Sequence, residues 1–508
     1  MALGAVAVMA TTAYGARTRT AHRARPGLAS LAIQAPDTPA GPTSGPPDCT
    51  TPVSPDAPPH IYPFYHCYAP SDIRAAYDVN GVAPLTGGVP NMGQGQTIVL
   101  VDSYGTPTGA SDLQYFHDTF FPNLPNPNFS QVFPLGAPDF RNSNGSGNSG
   151  PSAAANWSGE ATLDIEWSYA IAPLAHIVLL AVPPAETEGV QGLPNMFKAI
   201  QQAIDTYPAG TIFSQSFGLT EQTFGGAAAT QTSAFDAVYK NALAKGDTVF
   251  ASSGDNGSTG ASKQHKHTTT YPFPTVGWPA SSPWVTSAGG TQLQYGWTWD
   301  PTSDTPFLAD GSLNPAYFNS TTGGDSQEVW NESFESIATG GGPSAIYPTP
   351  SWQSSVASVI GQNARGVPDL AWNAAVNGGV LVYITAFPNY QRSGWHIFGG
   401  TSAASPQLAG VTALVNAARQ DAGKGPIGYL NPLLYSLPSS DFWDVVPTIE
   451  GTAASGHLVN NQIFAFNADG SVSPGPVPGW PTLPGWDMTT GFGSPIVGPF
   501  VADLAATP

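Results

Sequence analysis

Thr97-Ile-Val-Leu-Val-Asp102 is an unbroken aliphatic run that ends in a carboxylate, the pattern of a strand buried on both faces rather than on one. His176-Ile-Val-Leu-Leu-Ala-Val182 repeats it, and Thr211-Ile-Phe-Ser-Gln-Ser216 and Thr248-Val-Phe-Ala-Ser252 follow. Helical spacings fall between these runs: around Asp112 to Phe120, around Gly159 to Ala170, at Phe197, Ile200 and Ile204, and at Phe235, Val238, Tyr239 and Ala242. Strands alternating with helices predict an α/β fold, with a mostly parallel central sheet flanked by helices on both faces.

Moving toward the N-terminus, Tyr68-Ala-Pro-Ser-Asp-Ile-Arg-Ala-Ala-Tyr77 carries a Ser/Asp helix start, so folded structure is expected from about Tyr62 onward. Residues 17–61 are rich in Pro, Ser and Thr and read as an extended leader, while residues 1–16 read as a signal peptide without a basic start. Cys49 and Cys67 are the only two cysteines; in an exported chain they would close a short disulfide loop contributing about 3 kcal/mol, with two free thiols as the alternative. Toward the C-terminus, a polar stretch from Thr291 to Glu328 reads as an insertion and Gly451 to Pro484 as a Gly/Pro-rich loop. Neither has the pattern of a separate unit, so residues 62–508 read as one domain.

The formal charge is −19, from 34 Asp and Glu against 15 Lys and Arg, with no basic run beyond the N-terminus. That balance argues against nucleic acid or an anionic membrane as partner. Only 10% of residues are charged, so protonating the carboxylates in acid leaves little positive self-repulsion.

Three strings carry chemistry. Gly399-Gly-Thr-Ser402-Ala-Ala-Ser-Pro406 opens a helix whose inward face is Leu408, Val411, Leu414 and Val415, which puts Ser402 where exposed N–H groups favour developing negative charge. Pro406 is placed near the first turn, where a missing N–H costs little. Glu160 and Asp164 stand at i and i+4, on one face of a helix. Ser253-Gly-Asp255-Asn-Gly257 is a tight turn at the end of a strand. Each string has an ordinary structural use: a helix N-cap, a solvated acid pair, an Asx turn. None of the nine histidines stands in a context suited to activating a serine hydroxyl.

Together and in this order the strings resemble the sedolisins, serine-carboxyl peptidases with a subtilisin-like fold. Gly-Gln-Thr-Ile-Val-Leu-Val-Asp102, Ala-Thr-Gly-Gly-Gly342-Pro-Ser and Val-Pro-Asp369 add to the likeness, which runs from about Tyr68 to the end. The resemblance implies a secreted, acid-active serine endopeptidase in which Ser402 is the nucleophile, Glu160 the general base, Asp164 its partner and Asp255 a protonated oxyanion-hole donor. It also implies one structural calcium ion, held by the Asp444 and Asp487 carboxylates and main-chain oxygens of Val445, Leu483 and Gly485, position 483 being Leu where the family has Gly. Polypeptides are the expected substrates and a monomer the expected state. Sedolisins are usually made with a large prodomain, where this sequence has the low-complexity leader. Two alternatives stand beside this reading: an inactive secreted binding protein on the same fold, and a histidine-dependent neutral peptidase. Asp102 and Asp369 read as structural.

Overall fold

The computed structural model describes residues 67–138, 151–182, 190–264, 267–295, 326–332, 337–376, 378–386, 394–446, 460–466, 472–474 and 477–508, with short pieces at 10–11, 31–34, 46, 298–299 and 318–319. Its centre is an eight-stranded sheet. In chain order the strands are β1 (Thr97–Ser103), β2 (Phe129–Val132), β3 (His176–Val182), β4 (Ile212–Gln215), β5 (Thr248–Ser252), β6 (Thr286–Gln294), β7 (Ser326–Val329) and β8 (Leu370–Asn373). The spatial order is β7-β6-β5-β4-β1-β3-β2, with β8 also beside β6. Every pairing is parallel except β6 with β7.

The aliphatic runs explain the layers. Ile98 and Leu100 of β1 enter one hydrophobic core with Ile177 and Leu179, whereas Val99 and Val101 enter the opposite one with Val178 and Leu180. Side chains alternate across a strand, so a run with no polar positions must be covered twice. Each fully buried aliphatic side chain contributes roughly 1.5–3 kcal/mol, which fixes the register of these central strands.

Helices α1 (Pro151–Ile171) and α2 (Thr401–Asp421) cover the first face and pack on each other. Helices α3 (Leu193–Thr206) and α4 (Ala228–Lys245) cover the second. An antiparallel pair, Gly379–Ile384 with Gly394–Phe398, lies outside the central sheet, and Leu31–Gln34, within the expected leader, adds to its edge. Cys67 is disulfide-bonded, and Cys49, the chain's only other cysteine, lies outside the described residues.

The expected inserted loop from Thr291 to Glu328 is strand at both ends: Thr291–Gln294 pairs antiparallel with Ser326–Val329. Polarity hid these strands, because their buried groups are satisfied by one another instead of by apolar packing. The Gln327 Oε1 accepts hydrogen bonds from Tyr77, Thr291 and Ser494 at 3.1, 2.8 and 2.8 Å.

Candidate active site

The carboxyl edge of the sheet gathers the candidate residues. Asp102 is the penultimate residue of β1, Ser216 lies just beyond β4, and Ser253 to Asp255 just beyond β5. A cleft at this edge is lined by Ser216, Gly254, Asp255, Gly340, Thr401 and Ser402, among others, and no described residue lining it is a histidine. Elsewhere, His117 meets the Tyr169 hydroxyl and His176 meets Ser130, so both have structural partners.

Ser402 is the second residue of α2, and the cap before the helix is Gly400 at φ 97°, a backbone state that L side chains rarely adopt. Gly399 is equally constrained, since a Cβ there would lie 2.5 Å from the Ala375 carbonyl oxygen. Pro406 is not in the first turn as expected but inside the helix. Its missing N–H is the one that would have bonded the Ser402 carbonyl four residues earlier. That carbonyl instead lies 3.4 Å from Ser216 Oγ, which is also 2.9 Å from Asp164 Oδ1. One serine hydroxyl thus ties the nucleophile's backbone to the acid helix.

Helix α1 is buried along its described length, so Glu160 and Asp164 are not a solvated pair. Asp164 is held well above the usual carboxyl range by burial first, then by the negative charges of Asp102 and Glu160, with the Ser216 bond opposing. Asp102, whose two oxygens accept no hydrogen bond from a described residue, is pushed up to about 8 by burial. With Asp255 the site therefore contains four buried carboxyls, where the sequence offered three. Asp102 had no histidine to orient and so read as structural; the parallel pairing of β1 with β4 brings it level with Ser216, the partner of Asp164, and its charge acts on Asp164.

Asp255 is bonded by Thr401, the residue directly before the nucleophile. Its Oδ1 accepts from the Thr401 amide at 2.8 Å and from the Thr401 hydroxyl at 2.7 Å, and that hydroxyl accepts from Gly254 N at 3.0 Å. Burial pushes the Asp255 carboxyl up to about 7, against the pull of both Thr401 bonds. A protonated carboxyl one residue from the nucleophile can donate a hydrogen bond into the cleft. Asp369 lies elsewhere: it pairs with Arg365 and accepts from Ser287 N and the Tyr435 hydroxyl, pinning β6.

The expected calcium residues meet on one turn. Asp444 Oδ2 accepts from Gly485 N at 2.8 Å and Asp487 Oδ2 from Leu483 N at 3.0 Å, while Asp487 Oδ1 accepts from Thr489 N and Thr490 N. Asp444 Oδ1 is buried and accepts no hydrogen bond from a described residue. Among the described residues no cluster of three or more His, Cys, Asp or Glu is poised to hold a metal. The unpartnered, buried Oδ1 of Asp444 and the Asp487 carboxylate, both tied to turn 483–485, are nevertheless oxygen donors of the kind a hard cation takes.

A parallel sheet in this strand order, with a serine at the mouth of a buried helix on its carboxyl edge, is the architecture of the subtilases. The subtilase family pattern matches residues 145–427, more than half of the sequence, and the chain belongs to that family. Within that family its likeness is to the sedolisins. Kumamolisin of Bacillus sp. (strain MN-32) is 31% identical over 84% of this chain and 62% of its own length. Sedolisin of Pseudomonas sp. (strain 101) is 30% identical over 60% of this chain and 43% of its own length. The chain thus spans less than two thirds of either relative. The structure of Pseudomonas sedolisin, a serine-carboxyl proteinase, complexed with two molecules of pseudo-iodotyrostatin, shares the fold at a TM-score of 0.59 and 24% identity, covering 87% of this chain and 99% of that one.

Proposed function

We propose that this chain is a secreted, acid-active serine endopeptidase whose proton transfers run through carboxyl groups. Ser402 Oγ attacks the scissile carbonyl carbon while Glu160 takes its proton, and Asp164 orients Glu160. The tetrahedral oxyanion accepts a hydrogen bond from protonated Asp255. As the C–N bond breaks, Glu160 returns its proton to the leaving amine. Water then attacks the acyl-enzyme, with Glu160 again taking and returning a proton, and Ser402 is freed. Calcium, held by Asp444, Asp487 and the carbonyls of Val445, Leu483 and Gly485, would brace the C-terminal turn and take no part in bond making.

The observation that carries this reading is the Asp255 carboxyl, buried and bonded by Thr401 directly before Ser402, in a cleft whose described lining includes no histidine. Burial that keeps Asp255 protonated up to about 7 suits work in acid. The test is hydrolysis of a denatured protein across about pH 3 to 8 by the wild type and Ser402→Ala, a range that brackets ordinary carboxyl and histidine titration. Activity confined to the acid side and absent from Ser402→Ala is expected. Equal activity in both proteins, or activity that rises only through the histidine range, would overturn the proposal.

A further inference from the structure

Asn461 is a fully buried amide in a stretch whose sequence reads as a plain Gly/Pro-rich loop. Its Nδ2 donates to the Thr339 carbonyl at 3.1 Å, and its Oδ1 accepts from Trp480 N at 2.8 Å. Its own carbonyl accepts from Ser258 N at 3.1 Å. Its own N–H donates to the Trp480 carbonyl at 3.4 Å, so four bonds from one residue reach three separate pieces of chain.

Two of those pieces frame Asp255. Strip 338–340 is laced to the Asp255 turn: Ala338 N donates to Asp255 O at 3.1 Å, Gly257 N to Ala338 O at 2.9 Å, and Gly340 N to Gly254 O at 2.6 Å. The backbones touch so closely that a Cβ on Gly257 would lie 2.3 Å from the Asn461 carbonyl oxygen. The third piece begins at Trp480, whose carbonyl accepts from the Thr489 hydroxyl at 2.6 Å.

We infer that Asn461 is a positioning residue for catalysis: its amide and carbonyl clamp strip 338–340 against turn 254–258, and so set where the Asp255 carboxyl points in the cleft. An amide suits this place because it offers a donor and an acceptor in one plane, and both are used. Removing it strands the Thr339 carbonyl and the Trp480 amide in the interior, and the slot can relieve that only by shifting. Among the described residues Asn461 bonds to Thr339, Trp480 and Ser258 and not to Ser402, Glu160 or Asp164, so the effect must pass through the Asp255 side of the cleft. The inference rests on the reading of Asp255 as the oxyanion donor.

The test compares Asn461→Ala, Asp255→Ala and the double variant in the full chain, with peptide hydrolysis normalised to titrated active sites. Asn461→Ala is expected to lower kcat about tenfold to a hundredfold, since a misaimed group costs rate far more than binding. KM should stay within about twofold, as for an interaction made in the transition state. The double variant should be no slower than Asp255→Ala alone, because residues acting through one another do not add. If Asp255→Ala is impaired while Asn461→Ala keeps its kcat, or if the two losses multiply in the double variant, the positioning role is wrong. If Asp255→Ala keeps wild-type kcat, the oxyanion reading itself fails, and with it the route assigned to Asn461. Should Asn461→Ala not fold, Asn461→Ser, which keeps a hydroxyl in the slot, is judged by the same outcomes.

Discussion

One helix carries two kinds of buried carboxyl. Asp164 of α1 feels the charges of Asp102 and Glu160 and is bonded by Ser216, which also reaches the Ser402 carbonyl, whereas Glu166, half a turn further on, points to the outlying strand pair and accepts from Tyr383 N at 2.9 Å. Asp164 and Glu166 are both buried and both held well above the ordinary carboxyl range, chiefly by desolvation. Near Glu166 stands Asp112, whose oxygens are taken up by Thr108 and Thr385. The contrast teaches that a raised carboxyl does not by itself mark a reaction centre. What separates the two sets is the company they keep: a serine hydroxyl at a cleft in one case, main-chain amides and threonines in the other.

The sharpest way to break this comparison is to neutralise each set in turn. Ser402→Ala and Glu160→Gln should each lower kcat/KM for a peptide substrate about 10³-fold or more while leaving the folded state intact, as removal of nucleophile or base does in other serine peptidases. Glu166→Gln, judged in the same assay, should stay within about threefold, because the amide can still accept from Tyr383. A large loss in Glu166→Gln would mean that the two sets act as one.

In the cleft itself, Asp255→Ala should lower kcat by about 10²-fold, the usual consequence of losing one oxyanion donor. In the wild type, activity should fall as pH rises through about 7, where Asp255 gives up its proton. A pH–rate profile still flat at pH 9 would contradict that assignment.

Stability offers a subtler readout, and its sign follows from the direction of the shifts. Between the unfolded carboxyl value and the raised folded value, the native state keeps a proton that the unfolded chain releases, so stability falls as pH rises across that interval. For Glu166 the interval starts near 4.5 and runs upward. The wild-type Tm should therefore decline from pH 4 to 7, and Glu166→Gln should decline less steeply. Identical slopes would mean that Glu166 does not hold its proton in the native state.

The smallest effect should come from calcium. Chelation at pH 5 is expected to lower Tm by about 5 °C, consistent with loss of a ligand present well above its Kd in a chain of this size. The shift should vanish in Asp487→Asn. Unchanged Tm on chelation of the wild type would remove the ion from the account.

Much of this architecture was legible because aliphatic runs and helical spacings report burial directly. β1, β3 and β5 fall where their residues predict, and Ser402 opens a helix as its flanking glycines imply. β6 was not legible. Its Thr-Ser-Ala-Gly-Gly-Thr composition lacks an apolar signal because its neighbours leave no room for one: a Cβ on Gly289 would lie 2.6 Å from Pro368, and one on Gly290 2.7 Å from Ala374. Burial there is enforced by close approach, which favours small residues over large apolar ones.

The sequence alone determined which residue types stand at the strand ends and helix starts, and with them the α/β class and the candidate nucleophile, because local periodicity and cap chemistry act over a few residues. Only the tertiary structure decided that Asp102 joins Asp164, that Ser216 bridges to the carbonyl released by Pro406, and that Asn461 clamps the Asp255 turn. Those contacts join residues far apart in the chain, and no local pattern fixes the separation at which desolvated carboxyls begin to feel one another.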